Sequence, residues 1–247
     1  MSNLNAVGKF EYEVHEKNRL ETLKQVGHVI DTSPPISYIL RQKKLNELKL
    51  QEKQRKDKTE PKMMKKIEFY NADGEKIEQI MKVFPSCFLV VQEYGGPVLG
   101  RIVVELNGAC APQTALNFLT LCRGDAGLSY KGCPFHFVLP GILCSAGDVT
   151  RFDGRGGTSL YGRHFCDETN DLKHDGPGVL SMESHGRNKN DSKFNITFKA
   201  SSMLNGKFVV FGRVTSGHKI LQKIEDYGSK TGVPRTEVII SNCGEVL

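Results

Sequence analysis

FHFVLPGILCSAGDVTRFDGRGGTSLYG, residues 135–162, decides how the rest of the chain is read. It opens with two short apolar runs, 135–138 and 142–146, and then becomes rich in glycine. GRGGTS (154–159) resembles a phosphate cradle but lacks the spacing of a nucleotide-binding loop. The same alternation of strand runs and glycine-rich loops continues on both sides. Further strands are predicted over residues 87–92, 99–106, 178–182, 194–197, 209–214 and 237–243. Such short, regularly spaced strands favour an all-β barrel or sandwich. Two helices interrupt them. The first starts after Ala111 with Pro112 at the favoured first position and carries Ala115, Leu116, Leu119 and Leu121. The second covers about 218–227, with Ile220, Leu221 and Ile224 as its apolar face and Gly228 as its expected C′ residue.

The opening stretch resembles the signature of the cyclophilins, the β-barrel prolyl isomerases. Phe135, His136, Pro140, Gly141, Cys144, Gly147, Asp148, Thr150, Arg151, Gly154, Gly156, Gly157, Tyr161 and Gly162 fall in the family's register. FPSCFLVVQEYGGPVLGRIVVEL (84–106) resembles its first strand pair, and APQTALNFLTLCRGDAGLSYKG (111–132) its first helix and following loop. KHDGPGVLSM (173–182), NGKFVVFGRVTSGHKILQKIEDYGS (205–229) and TEVIISNCGEV (236–246) match the later elements. The resemblance covers residues 84–247. It implies a mainly β fold, an eight-stranded antiparallel barrel capped by two α-helices.

The family's chemistry does not carry over with its scaffold. Rotation about an X–Pro bond meets a barrier near 20 kcal/mol because amide resonance must be broken. A cyclophilin holds proline in an apolar pocket and aims a guanidinium at the amide nitrogen. That arginine should follow His136, and the chain has Phe137. The resemblance places Ile142 and Leu143 at the pocket's Phe-Met pair and Ser145 at the substrate-gripping glutamine. Glu183, Ser184 and His185 stand at the Ala-Asn-Ala edge, and Lys193 at a second glutamine. Asn195 replaces a pocket-floor phenylalanine, Met203 the rim tryptophan and Phe208 the pocket histidine; Leu204 is retained. No catalytic residue is assigned, and His136 is expected to be structural. Glu183, His185 and Lys193 are expected to turn a neutral groove rim into a charged one. Phe137 and Phe208 are expected to fill vacated volume.

Residues 1–83 form an added extension. Within it, residues 41–66 hold eleven Lys or Arg against four Asp or Glu, a net +7, against +6 for the whole chain. A partly helical basic arm is predicted, with the helix over about 36–58 and a hairpin over 65–82 around Asn71–Ala72–Asp73–Gly74. Lys43, Lys44, Lys49, Lys53, Arg55 and Lys56 are its candidate partner-binding residues. A basic arm favours an acidic surface. Seven scattered cysteines without a C-x-x-C pair imply reduced thiols, and no cofactor or metal is expected.

A kept scaffold, an altered site and an added arm lead to one expectation. The chain is a catalytically inactive cyclophilin-like module, a pseudoenzyme, that serves protein interaction or structure in a larger assembly. A microtubule or axoneme is one such setting, because tubulin surfaces are acidic. Two alternatives stand beside it: a weakly active peptidyl-prolyl isomerase, and an RNA-associated, spliceosomal-type cyclophilin. The arm's lack of interleaved aromatics speaks against RNA. Partners are expected to be proteins with acidic surfaces, tubulin or axonemal proteins included, with nucleic acid second. Cyclosporin binding is expected to be weak or absent, since Met203 removes the indole. With neither an apolar N-terminal run nor a membrane span, the expected location is intracellular: cytoplasm, cytoskeleton or cilium, with the nucleus as alternative.

Overall fold

The computed structural model describes residues 64–70, 73–125 and 127–246. The basic helix predicted over 36–58 and its six candidate cations lie outside the described residues. A two-stranded antiparallel sheet comes first, β1 (Met64–Tyr70) and β2 (Lys76–Lys82), in register from Met64 opposite Lys82 to Tyr70 opposite Lys76. Eight further strands form one antiparallel sheet. They are β3 (Ser86–Glu93), β4 (Val98–Leu106), β5 (Phe137–Leu139), β6 (Leu143–Ala146), β7 (Val179–Ser184), β8 (Asn190–Thr197), β9 (Val210–Ser216) and β10 (Val238–Val246). Their spatial order is β10-β3-β4-β9-β7-β8-β6-β5. The residues just before β5 bond to β10: Phe135 N–H donates to the Val238 carbonyl at 2.8 Å, and Ile240 N–H to that of Cys133 at 2.9 Å. This contact joins the two ends of the sheet and closes the barrel, which removes exposed strand edges there.

The period-two pattern of the strands sends Leu89, Val91, Ile102, Val104, Leu180, Met182, Phe194 and Ile196 inward. Phe118 stands at the core's centre, with ring centroids of Tyr130, Phe194 and Phe211 at 5.0, 5.1 and 5.3 Å. It belongs to α1 (Pro112–Arg123), which is buried on most sides. Helix α1 has no side-chain cap of its own. The distant Glu168 carboxylate accepts the N–H groups of Gln113 and Thr114 at 2.8 and 2.7 Å, satisfying donors the helix leaves open. Helix α2 (His218–Asp226) buries Leu221 and Ile224.

Helix α2 ends where expected, with Tyr227 as the C-cap and Gly228 at C′, but without the usual left-handed turn. That glycine is absent from the left-handed region. A Cβ there would stand 2.8 Å from Pro140 and from the Val138 carbonyl. Close packing, rather than a helix-ending turn, requires glycine at this position. Among the described residues no helix is long and apolar enough to cross a membrane.

Candidate functional site

Strand pairing gathers three of the candidate site residues, Phe137, Ser145 and Asn195, into one row. Phe137 on β5 lies opposite Ser145 on β6, Ser145 opposite Asn195 on β8, and Asn195 opposite Ser181 on β7. Directly opposed residues share a face, and their chain neighbours Cys144, Ala146, Phe194, Ile196, Leu180 and Met182 form the core. The row therefore lies on the barrel's outer face, where the family resemblance puts the proline groove.

Beyond the half-buried Phe137 the row is polar and buried: Ser145, Asn195 and Ser181. Ser145 Oγ donates to Asn195 Oδ1 at 2.7 Å, and Asn195 Nδ2 donates to the Met182 carbonyl at 3.3 Å. Both ends of the Asn195 amide are thus satisfied, which is what permits it to be buried. Ser181 Oγ is buried without a partner. Relative exposures are 2% for Asn195, 3% for Ser145, 7% for Leu143 and 8% for Leu204. Ile142 and Phe208 are half-buried, and Met203 projects into solvent.

Phe137 is spoken for. Its ring lies against Gly232 so closely that a Cβ on that glycine would fall 1.9 Å from a ring carbon. The neighbouring Val138 N–H donates to the Gly232 carbonyl at 2.7 Å, which fixes the loop beside β5. Phe137 therefore packs on the loop after α2 and offers no hydrogen-bond donor.

Glu183 and Lys193 behave differently from exposed rim charges. Glu183 Oε2 lies 3.0 Å from His136 Nε2, joining the residue before Phe137 to the edge formed by residues 183–185. The other ring nitrogen, Nδ1, is buried without a partner. Lys193 is fully buried. Its Nζ sits 2.7 Å from Asp191 Oδ2 and also donates to the Gly156 carbonyl. Burial raises the Asp191 pKa, opposed by the hydrogen bond from Lys193. Asp191 escaped the sequence reading, although residues two apart on a strand share a face. Ser184 Oγ bonds locally to the Gly186 carbonyl, and His185 is exposed.

The structure thus brings Phe137, Ser145 and Asn195 into one row and sets Glu183 against His136. It withdraws Lys193 into an ion pair. A cavity of about 230 Å³ opens elsewhere, lined by Phe84, Leu106, Val179, Val210 and Arg213 among others, with none of the groove positions in its wall.

Comparison with known proteins agrees with this architecture. Residues 89–245 match the family described as cyclophilin type peptidyl-prolyl cis-trans isomerase/CLD. Over 162 residues the chain is 45% identical to the E3 SUMO-protein ligase RanBP2 of Pan troglodytes, and equally so to that of Homo sapiens. That alignment covers 66% of this chain and 5% of either relative, so it spans a small part of much longer proteins. With its barrel, its two helices and the register of its loops, the chain belongs to the cyclophilin-type peptidyl-prolyl isomerase family.

Proposed function

We propose that this barrel has given up ordinary prolyl isomerisation and acts as a rigid interaction module in a larger assembly. One observation carries the reading. At the position where the family resemblance puts a guanidinium, Phe137 has no donor and its ring is packed on Gly232. A preorganised donor aimed at developing charge is worth about 10²–10³ in rate. The pocket floor supports the same conclusion. A proline ring would have to compete with the Ser145–Asn195 bond and lie on an amide rather than an aromatic face. Attachment falls to the basic segment, whose +7 over residues 41–66 suits an acidic protein surface such as a microtubule lattice.

The test is isomerisation of an X–Pro peptide by the full-length chain, followed by NMR exchange beside an active cyclophilin. Acceleration at least about 100-fold lower is expected. Turnover within about tenfold of the active enzyme overturns the proposal. Phe137→Arg alone is expected to leave most of the deficit, because Ser145 and Asn195 still occupy the floor. Full recovery from that change would mean that the donor is the whole of the loss.

A further inference from the structure

Two surface loops meet beside the start of β8. Phe165 and Asn190 exchange backbone hydrogen bonds across them at 2.9 and 3.2 Å. Asp167 staples the junction. Its Oδ2 accepts the Asn188 N–H at 3.1 Å, its Oδ1 accepts from Asn190 Nδ2 at 2.8 Å, and its own N–H donates to Asn188 Oδ1 at 3.0 Å. Phe165 turns into the core. The loops show three cations to solvent, Arg163, Arg187 and Lys189, beside two exposed histidines, His164 and His185.

These side chains are left unneutralised. Arg101 lies over the Phe88 ring, and Arg123, Arg151, Arg155 and Arg213 meet carboxylates. Arg163, Arg187 and Lys189 have no carboxylate or ring partner among the described residues. Asp167 is the one acid within residues 163–167 and 185–190, and its oxygens are committed to the staple. The fold therefore holds three fixed positive charges and two imidazoles on a pinned rim, where like charges repel unless a partner of opposite sign arrives.

We propose that this rim docks an acidic peptide segment of a partner protein. The inference rests on the interaction-module reading and gives the barrel a contact surface of its own, separate from the N-terminal segment. Guanidinium forks match carboxylates in bidentate geometry. Single-stranded nucleic acid sites add stacking platforms to their cations. On these loops the only exposed rings are the two imidazoles, since Phe165 is buried. Carboxylates are therefore the better fit.

The experiment measures anisotropy of a fluorescent oligoglutamate peptide with the full-length chain. Lys43, Lys44, Lys49, Lys53, Arg55 and Lys56 are changed to Gln throughout, so that the rim is read without the arm. Combined Arg163→Ala, Arg187→Ala and Lys189→Ala should weaken binding about tenfold and flatten its salt dependence, as expected for a few solvent-exposed pairs. Lys219→Ala with Lys223→Ala, exposed on α2, should leave it unchanged. Should the triple variant fail to fold, Lys189→Gln alone should still lower affinity about threefold. Three results overturn the proposal: equal binding by the rim variants, equal weakening by the α2 control, or an oligonucleotide of the same charge binding as tightly as the peptide. Isomerisation rates do not enter, so a failed rim leaves the inactive-barrel reading to its own assay.

Discussion

Lys193 shows how one neighbour changes what a side chain means. Beside the groove it reads as rim charge; paired with Asp191 and fully buried, it becomes part of the wall. Breaking a buried pair by removing one partner strands the other charge and costs about 3–5 kcal/mol, whereas replacing both is far milder. Lys193→Met should therefore destabilise by that amount, and Asp191→Asn with Lys193→Met by clearly less. Denaturant melts of the singles and the double give the coupling energy; additive losses would show that the two charges do not support one another. The loss of the arginine was legible at this scale, because Phe137 needs only to be counted from His136. The Ser145–Asn195 bond was not, because it depends on the register of β6 against β8, and a one-residue slip of either strand would put the two side chains on opposite faces of the sheet. The Asp191–Lys193 spacing was visible in the sequence but looks like ordinary surface alternation until burial is known.

Among the elements, the loop over 148–157 is organised by a single carboxylate. Asp148 Oδ1 accepts the N–H groups of Thr150 and Arg151 at 3.1 and 2.9 Å, and Oδ2 those of Gly154 and Gly156 at 3.0 and 2.9 Å. Burial alone would raise its pKa, but the hydrogen bonds from Arg151, Gly156 and Thr150 outweigh it and hold the carboxyl well below the usual range. A depressed folded-state pKa contributes stability above the unfolded value, near 3.9, and loses it as pH falls toward the folded value. Asp148→Asn should lower Tm at neutral pH and flatten the decline of Tm below about pH 4. Melts across that range decide it; an undiminished acid slope in the variant would place the linkage in other carboxylates. The glycines marked this segment as loop from the sequence alone. That Gly154, at φ 83°, is required because a Cβ would meet the His136 ring at 2.4 Å was not legible, since it depends on a residue distant in sequence. Helix α1 teaches the same lesson: Pro112 marked its start, while its capping acid, Glu168, comes from a loop more than fifty residues away.

At the scale of the whole molecule, an all-β barrel or sandwich interrupted by two helices was readable because short strands, glycine loops and two amphipathic runs agreed with one another. The closed eight-stranded barrel came from the family resemblance, and the order of the strands in the sheet only from the structure. The relation of the β1–β2 hairpin to the barrel was not, since its turn chemistry says nothing about what its inner face touches. The family match begins at residue 89, beyond the hairpin, yet hairpin and barrel form one compact unit. Ile67, Phe69 and Met81 are buried, and Phe69 meets Tyr161 edge-on with ring centroids 4.8 Å apart. Tyr161 in turn meets Phe165 edge-on, with ring centroids 5.3 Å apart, and donates its hydroxyl to the Gln113 carbonyl at 2.7 Å, so the hairpin leans on the same ring pair that backs the cationic rim. Lys65 Nζ adds a bond to the Ala109 carbonyl at 3.3 Å. Truncating a buried apolar side chain costs about 2–5 kcal/mol, and Ile67, Phe69 and Met81 are three such side chains. A fragment spanning 84–247 should therefore melt roughly 5–15 °C below one spanning 64–247. Phe69→Ala in the longer fragment should lower its melting temperature by most of that difference, because the aromatic contact holds the hairpin in place. Equal melting temperatures for the two fragments would make the hairpin a passenger on the barrel. A large loss on truncation with none from Phe69→Ala would instead move the holding contact to Met81, which packs so tightly over Gly108 that a Cβ there would stand 2.4 Å from its terminal methyl.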